Sequence, residues 1–216
     1  MKFGLVFFIA LYFSAIGVNG QVSPHQFKIS LRTGDLLFCG ASSEGLSKAI
    51  DQSTRNSNNT HFDHVGIVEI KNDTVWVLHA APKKGVSRDV VSHFLLNDKN
   101  VVSVTVYRLK SNFLKTIPGA IKKAYAGLGQ PYKYSYRLKD PGYYCSEYIY
   151  KLFEADSIFT LNAMSFKDPK TGQFLPVWVD HYKKLEIPVP EGEPGCNPNG
   201  LAASSKLELI GRLEAK

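Results

Sequence analysis

The sequence predicts an α+β fold, on two observations. β-rich runs are joined by a short polar turn, which signals an antiparallel hairpin, and apolar stripes of helical period lie elsewhere along the chain. In chain order, Gly34-Asp35 makes a turn and Leu36-Leu37-Phe38 a short apolar strand. Ser42 or Ser43 caps a helix that carries Leu46, Ala49 and Ile50 on one face. A polar loop over 56–60 leads into two strands, Val65 to Ile70 and Thr74 to Leu78, joined through Lys71-Asn72-Asp73. Another strand spans Val101 to Leu109. Pro118 opens a helix with Ile121, Ala124, Tyr125 and Leu128 on one side, and Gly127 and Gly129 end it. Asp140-Pro141-Gly142 breaks the chain before the next helix, whose apolar residues fall at 145, 148, 149, 152 and 153. A stretch rich in Pro and Gly, 188–200, precedes a last strand over 207–210.

The first twenty of the 216 residues read as a secretory signal: Met1-Lys2, an apolar run from Leu5 to Val18, and short residues at Val18 and Gly20 before a cut ahead of Gln21. Residues 21–216 are then one domain, exported to the periplasm or beyond. The formal net charge is +7, but the lysines are scattered and accompany no nucleic-acid motif. That excludes nucleic acid as the expected partner and suits anionic walls, membranes or substrates.

Three cysteines, Cys39, Cys145 and Cys196, make an odd count, so at least one thiol is free or pairs between chains. A Cys39–Cys196 bridge is one pairing the count allows. Cys145 stands at a predicted helix N-terminus, where unpaired N–H groups and the helix dipole favour the thiolate. If Asn72-Asp73 form a two-residue turn, Lys71 pairs with Thr74 and Gly66 faces His79. His64 then becomes a diagonal neighbour of His79, about 7–8 Å away at Cα. A three-residue turn would send the two to opposite faces. His64 is the candidate base and His79 the group that orients it. His61, His93 and His181 have no such company. A zinc site from His61 and His64 with His79 or Cys145 is the rival chemistry, but no Cys-x-x-Cys or carboxylate cluster supports it, so neither metal nor cofactor is expected.

Taken in order, Gly34-Asp35-Leu36-Leu37-Phe38, His64-Val65-Gly66-Ile67-Val68, His79-Ala80 with Gly85-Val86, Gly129-Gln130-Pro131-Tyr132, Tyr144-Cys145-Ser146-Glu147 and Pro198-Asn199-Gly200-Leu201-Ala202 resemble the YiiX/YebB-like proteins. These are circularly permuted members of the NlpC-type, papain-like superfamily, and the resemblance spans nearly all of residues 21–216. It implies a curved antiparallel sheet or half-barrel packed against the cysteine helix. It also implies Cys145 as nucleophile, His64 as base and the His79 position as the third polar group. Many relatives carry glutamate there, and a histidine is similar to the lecithin retinol acyltransferase group. Lys133 departs from the acidic residue expected after Pro131-Tyr132, which puts contacts at the pocket rim in doubt. In an acyl-transfer mechanism the Cys145 N–H would donate to the oxyanion and Tyr144 would help shape that pocket; Tyr132 is a candidate for a substrate groove, with aromatic fill beneath a loop as the alternative. Glu147 stands in the same turn, with its fit to the helix dipole as the first reading. The leading expectation is a cysteine peptidase or amidase acting on cell-wall peptides. The alternatives are a thiol hydrolase or acyltransferase of lipid amides or esters, and a binding module without catalysis.

Overall fold

The computed structural model describes residues 21–54, 60–97, 100–101 and 103–216; the expected signal segment and the loop over 56–59 lie outside them. The centre is a six-stranded sheet of β1 (Leu36–Gly40), β2 (Phe62–Lys71), β3 (Thr74–Ala81), β4 (Gly85–Val90), β7 (Val104–Leu109) and β10 (Leu207–Arg212). Its order is β10-β7-β1-β2-β3-β4, and every neighbouring pair is antiparallel. Two small pairs accompany it, β5 (Leu96–Asn97) with β6 (Asn100–Val101) and β8 (Asn162–Ala163) with β9 (Pro194–Gly195). The helices are α1 (Gly45–Thr54), α2 (Val91–Phe94), α3 (Ile117–Ala126), α4 (Cys145–Phe153), α5 (Pro176–Lys184) and α6 (Pro198–Ala202).

The alternation of β2 divides the core in two. Val65 and Ile67 join Leu36, Phe38, Leu78 and the α4 residues Cys145, Tyr148, Ile149 and Leu152 in one cluster. On the other side, Val68, Leu37, Cys39, Val75, Val77 and Phe94 are sealed by Val22, Phe27 and Leu31 from the start of the described chain. A sheet buried on both faces explains why its strands read as continuous apolar runs.

The hairpin register follows the two-residue turn. Lys71 pairs with Thr74 and Ile67 with Leu78. Asn72 and Asp73 take φ of 51° and 56°, the left-handed values that a twist-matched tight turn requires. The expected strand from 101 is shorter: its ladder starts at Val104, while Val101 belongs to the separate β5–β6 pair. The helix expected from Pro118 begins one residue earlier, with the proline in its first turn. The Pro- and Gly-rich stretch holds β9 and the start of α6, where Asn197 caps the Gly200 N–H at 2.7 Å. Gly85, at φ +73°, is required twice over. Only glycine takes that backbone angle readily, and a Cβ there would sit 2.2 Å from the Gln130 carbonyl, which accepts the Val86 N–H.

Candidate active site

α4 starts where the loop over 131–143 closes. Lys133 N–H donates to the Tyr143 carbonyl at 3.0 Å and Tyr143 N–H to the Pro131 carbonyl at 3.1 Å. Beneath this loop the Lys133 ammonium pairs with Glu147 at 2.7 Å, both side chains almost wholly buried, and Glu147 also accepts the Tyr144 N–H at 3.4 Å. Glu147 therefore ties the loop to the helix start. It is absent from the cavity lining, which favours the structural reading over a substrate or oxyanion role. Lys133, expected at the pocket rim, is buried beside it.

Cys145 is the first residue of α4 and lines a cavity of about 240 Å³. Asp63, Tyr136, Tyr144, Met164, Phe166 and Trp178 share that cavity, as does a second thiol, Cys196. The Cys145 thiol donates to the Asp63 carbonyl at 3.7 Å. At that point β2 carries a bulge, because Cys39 pairs with His64 and Gly40 with Phe62, leaving Asp63 as the extra residue. Bulges re-aim side chains and recur beside active sites. The dipole argument predicts a depressed thiol pKa, and the structure reverses it. Burial pushes the Cys145 thiol up to about 12, and the Asp63 charge adds to this. Together they outweigh the N–H groups of Ser146 and Val65, which favour the thiolate.

The two histidines meet as the register requires. His64 Nε2 lies 2.8 Å from His79 Nδ1, the rings cross at 77°, and both lean on Phe94. Gly66 makes the room, since a Cβ there would approach Val77 Cγ1 to 2.5 Å and His79 Cβ to 3.2 Å. The row continues beyond the expected pair. His79 Nε2 lies 3.1 Å from Asp89 Oδ2, and Asp89 also holds Lys84 at 3.0 Å. These neighbours hold the Asp89 carboxyl well below the ordinary range, while burial and His79 lower His64 to about 3. The ionised Asp89 fixes the proton of His79 on Nε2, so His79 Nδ1 accepts from His64 Nε2–H. That assignment leaves His64 Nδ1 with a free lone pair, the form a general base needs. The thiol bonds the Asp63 carbonyl and the imidazole of the next residue bonds His79, so no hydrogen bond joins sulfur and ring, and neither histidine is part of the cavity lining. Such contacts often close only with substrate present.

The remaining expected residues separate. Tyr144 lines the cavity, but its hydroxyl accepts the Cys196 N–H at 3.2 Å and lies 3.8 Å from the Cys196 sulfur. Tyr132 is outside the lining. It stacks edge-on against Tyr134 and hydrogen-bonds Tyr136, which is the tyrosine that reaches the cavity. His61 pairs with Asp51 at 3.1 Å, and His181 with the Tyr134 carbonyl at 2.7 Å. All three cysteines are free: Cys39 lies in the core cluster opposite the one that holds Cys196, so no bridge joins them. No group of three or more His, Cys, Asp or Glu among the described residues is arranged to hold a metal ion. Asp63, Asp89, Cys196 and Trp178 were not found by sequence reasoning. For Asp89 a signal existed: it lies two residues after Ser87, which pairs with His79.

A cysteine opening a helix against an antiparallel sheet, with an ordered histidine row on the neighbouring strand, defines a thiol hydrolase of papain-like design. Residues 30–211 match the family described as permuted papain-like amidase enzymes, YaeF/YiiX, C92. The chain belongs to that family, and it is a cysteine peptidase or amidase-type hydrolase. Among solved structures it is similar to YiiX from Escherichia coli O157:H7, described as a metalloprotein. The TM-score is 0.67 at 20% identity, covering 86% of this chain and 98% of that one. No curated protein matches it.

Proposed function

We propose that the protein is an exported amidase that hydrolyses amide bonds in short peptides, those of the cell wall among them. Cys145 is the nucleophile, His64 the base, and His79 with Asp89 the groups that orient it. The size and lining of the cavity carry this reading. About 240 Å³, walled by Met164, Phe166 and Trp178 beside the polar Asp63 and Asn197, suits an aminoacyl group. The apolar stretch Leu5 to Val18 behind Lys2 supports export.

In the reaction the Cys145 thiol passes its proton to His64 Nδ1 while sulfur bonds to the amide carbon. The carbonyl oxygen takes the negative charge and accepts the Cys145 N–H at the helix start, where one such donor is worth about 2.7–4 kcal/mol. Collapse breaks the C–N bond, and the amine leaves with the proton from His64. Water, deprotonated by the same ring, then cleaves the thioester. The raised thiol pKa means that sulfur and ring share the proton in the transition state rather than storing an ion pair.

The test offers the protein and Cys145→Ala muropeptides and, separately, long-chain N-acyl amides. Peptide cleavage lost by at least about 10³-fold in the variant supports the proposal. Release of fatty acid in its place moves the protein to the lipid-directed reading, and activity that survives the substitution removes Cys145 from the reaction.

A further inference from the structure

Among the residues that line the cavity beside Cys145, one carries a charge at neutral pH, Asp63. It is half-buried. Buried charges are paired as a rule, and the other buried acids of the fold obey it. Asp35 has Arg108 at 2.7 Å, Glu147 has Lys133 at 2.7 Å, and Glu69 has Arg88 at 2.8 Å. Asp63 departs from the rule, since none of the groups that act on its carboxyl is a cation. Burial pushes it up to about 6 and the charge of Asp51 adds to the rise, against uncharged hydrogen bonds from Ser47 and its own N–H.

The place of the carboxylate follows from what it touches. Asp63 is the extra residue of the bulge in β2, and its backbone carbonyl accepts the Cys145 thiol at 3.7 Å. Its side chain reaches α1, where Ser47 hydrogen-bonds it, and its charge acts on Cys145 and on Tyr136. α1 supplies Ile50, Ser53 and Thr54 to the cavity wall, and α4 supplies Cys145 and Ser146. A carboxylate that bonds to the first helix and acts on the sulfur and Tyr136 stands between those walls. The serine and threonine hydroxyls of the lining give their protons elsewhere. Ser53 donates to the Ala49 carbonyl at 2.8 Å, Thr54 to Ile50 at 2.7 Å, Ser146 to Cys196 at 3.1 Å and Ser165 to Glu191 at 3.0 Å.

We infer that the Asp63 carboxylate receives an ammonium group of the substrate, carried by the acyl residue whose carbonyl is attacked. This inference rests on the amide-hydrolase reading and narrows it to amides with a cation on the acyl side. The cavity, at about 240 Å³, suits that one residue, so its own ammonium is the one within reach. Such a group supplies the partner that the carboxylate lacks, through a charge-assisted hydrogen bond of the strong kind. It also cancels the negative charge that opposes the Cys145 thiolate, so the right substrate eases proton loss from the sulfur that attacks it. An acyl group with hydrocarbon in that place does neither. Sites built to hydrogen-bond a substrate discriminate against analogues that leave the partner unpaired.

The experiment compares the p-nitroanilides of three acids. Alanine offers a free α-ammonium, and isobutyric acid has a methyl group in its place. Diaminopropionic acid acetylated at the α-nitrogen keeps only the side-chain ammonium. The wild-type protein should favour an ammonium substrate over the isobutyryl one by about ten- to hundredfold in kcat/KM, the worth of one hydrogen bond to a charged group, and Asp63→Asn should bring the preference within about twofold. Preference for the alanyl substrate assigns the cation to the α-amino group, and preference for the other assigns it to a side chain; either supports the inference. A preference that persists in Asp63→Asn, or is absent from the wild type while the anilides are cleaved, overturns it and leaves the amidase reading intact. A second measurement depends neither on turnover nor on the folding of Asp63→Asn. Cys145→Ala is titrated by calorimetry with the simple amides of the same three acids. An ammonium-bearing amide should bind at least about tenfold more tightly than isobutyramide, and equal or absent binding overturns the inference. If no anilide is hydrolysed by the wild type, the amidase reading fails on its own, and the titration still decides the role of Asp63.

Discussion

His64 reaches His79 across 15 residues of one hairpin, whereas Cys145 meets Asp63 across 82. The two groups of proposed catalytic residues are built from different kinds of information. On the histidine side a tight turn sets the register, the register sets the diagonal pair, and one further antiparallel step adds Asp89. Each link is local and short in sequence. On the cysteine side the helix start depends on a loop that closes on itself, on a buried ion pair, and on a strand bulge far back in the chain. The comparison teaches that the tautomer of the base is set by neighbours in one hairpin and the strand after it, while burial is the larger cause of its lowered pKa. The reactivity of the nucleophile is set by burial that only the whole fold creates.

The largest expected effect breaks the histidine side without touching its shape. In Asp89→Asn the amide can donate to His79 Nε2, which favours the opposite tautomer. His79 then donates through Nδ1 to His64 Nε2, and the proton moves to His64 Nδ1, where the base is needed. The expected result is a fall in kcat of about 10²–10⁴-fold at neutral pH with KM little changed, on the scale of the analogous carboxylate-to-amide change in a serine triad. Steady-state kinetics on a peptide amide checks it. A variant within a few-fold of wild type would mean that Asp89 does not set the tautomer.

How much of this could be read from the chain follows the same division. The tight turn was legible because Asn and Asp tolerate positive φ, and the helix at Cys145 because five apolar residues keep its period. The family match over 30–211 and the likeness to YiiX support the permuted papain-like fold expected from ordered motifs. Asp89 was missed because β4 reads Gly-Val-Ser-Arg-Asp-Val, a weak strand by composition. Trp178 was missed because Val177 and Val179 flank it and blur the helical stripe, although both are exposed. The thiol pKa went the wrong way because the dipole is visible in sequence and desolvation is not.

A second substitution tests the cysteine side through its clamp. Lys133→Met leaves the Glu147 carboxylate buried without its partner, a change that typically costs about 3–5 kcal/mol. Burial already raises Glu147, and Lys133 is the main influence pulling it down, so the variant carboxyl should take up a proton as the domain weakens. Chemical denaturation should show a lower midpoint. The double variant Lys133→Met with Glu147→Met should recover most of the loss, because it leaves no unpaired charge. If the double variant is as unstable as the single one, the pair does more than satisfy itself, and the helix start depends on its hydrogen bonds to Tyr144 and Leu138.

The smallest expected effect sharpens the comparison by asking what opposes the thiolate. Burial raises the Asp63 carboxyl from 3.8 to about 6, against hydrogen bonds from Ser47 and its own N–H, and the charge of Asp51 adds to the rise. A carboxyl raised in the folded state holds its proton more tightly there than in the unfolded chain. Its contribution is therefore most favourable below about pH 4 and is lost as pH rises through 6, by at most about 3 kcal/mol. Asp63→Asn keeps the shape and removes the titration, so its stability should gain on the wild type between pH 4 and 7 and match it below pH 4. The same substitution takes a negative charge from beside the sulfur. Alkylation of Cys145, followed by mass spectrometry, should then run several-fold faster than in wild type above pH 6 and at the same rate near pH 4. Equal rates throughout would leave burial alone as the cause of the raised thiol, and the bulge at Asp63 would then matter for backbone geometry rather than for charge.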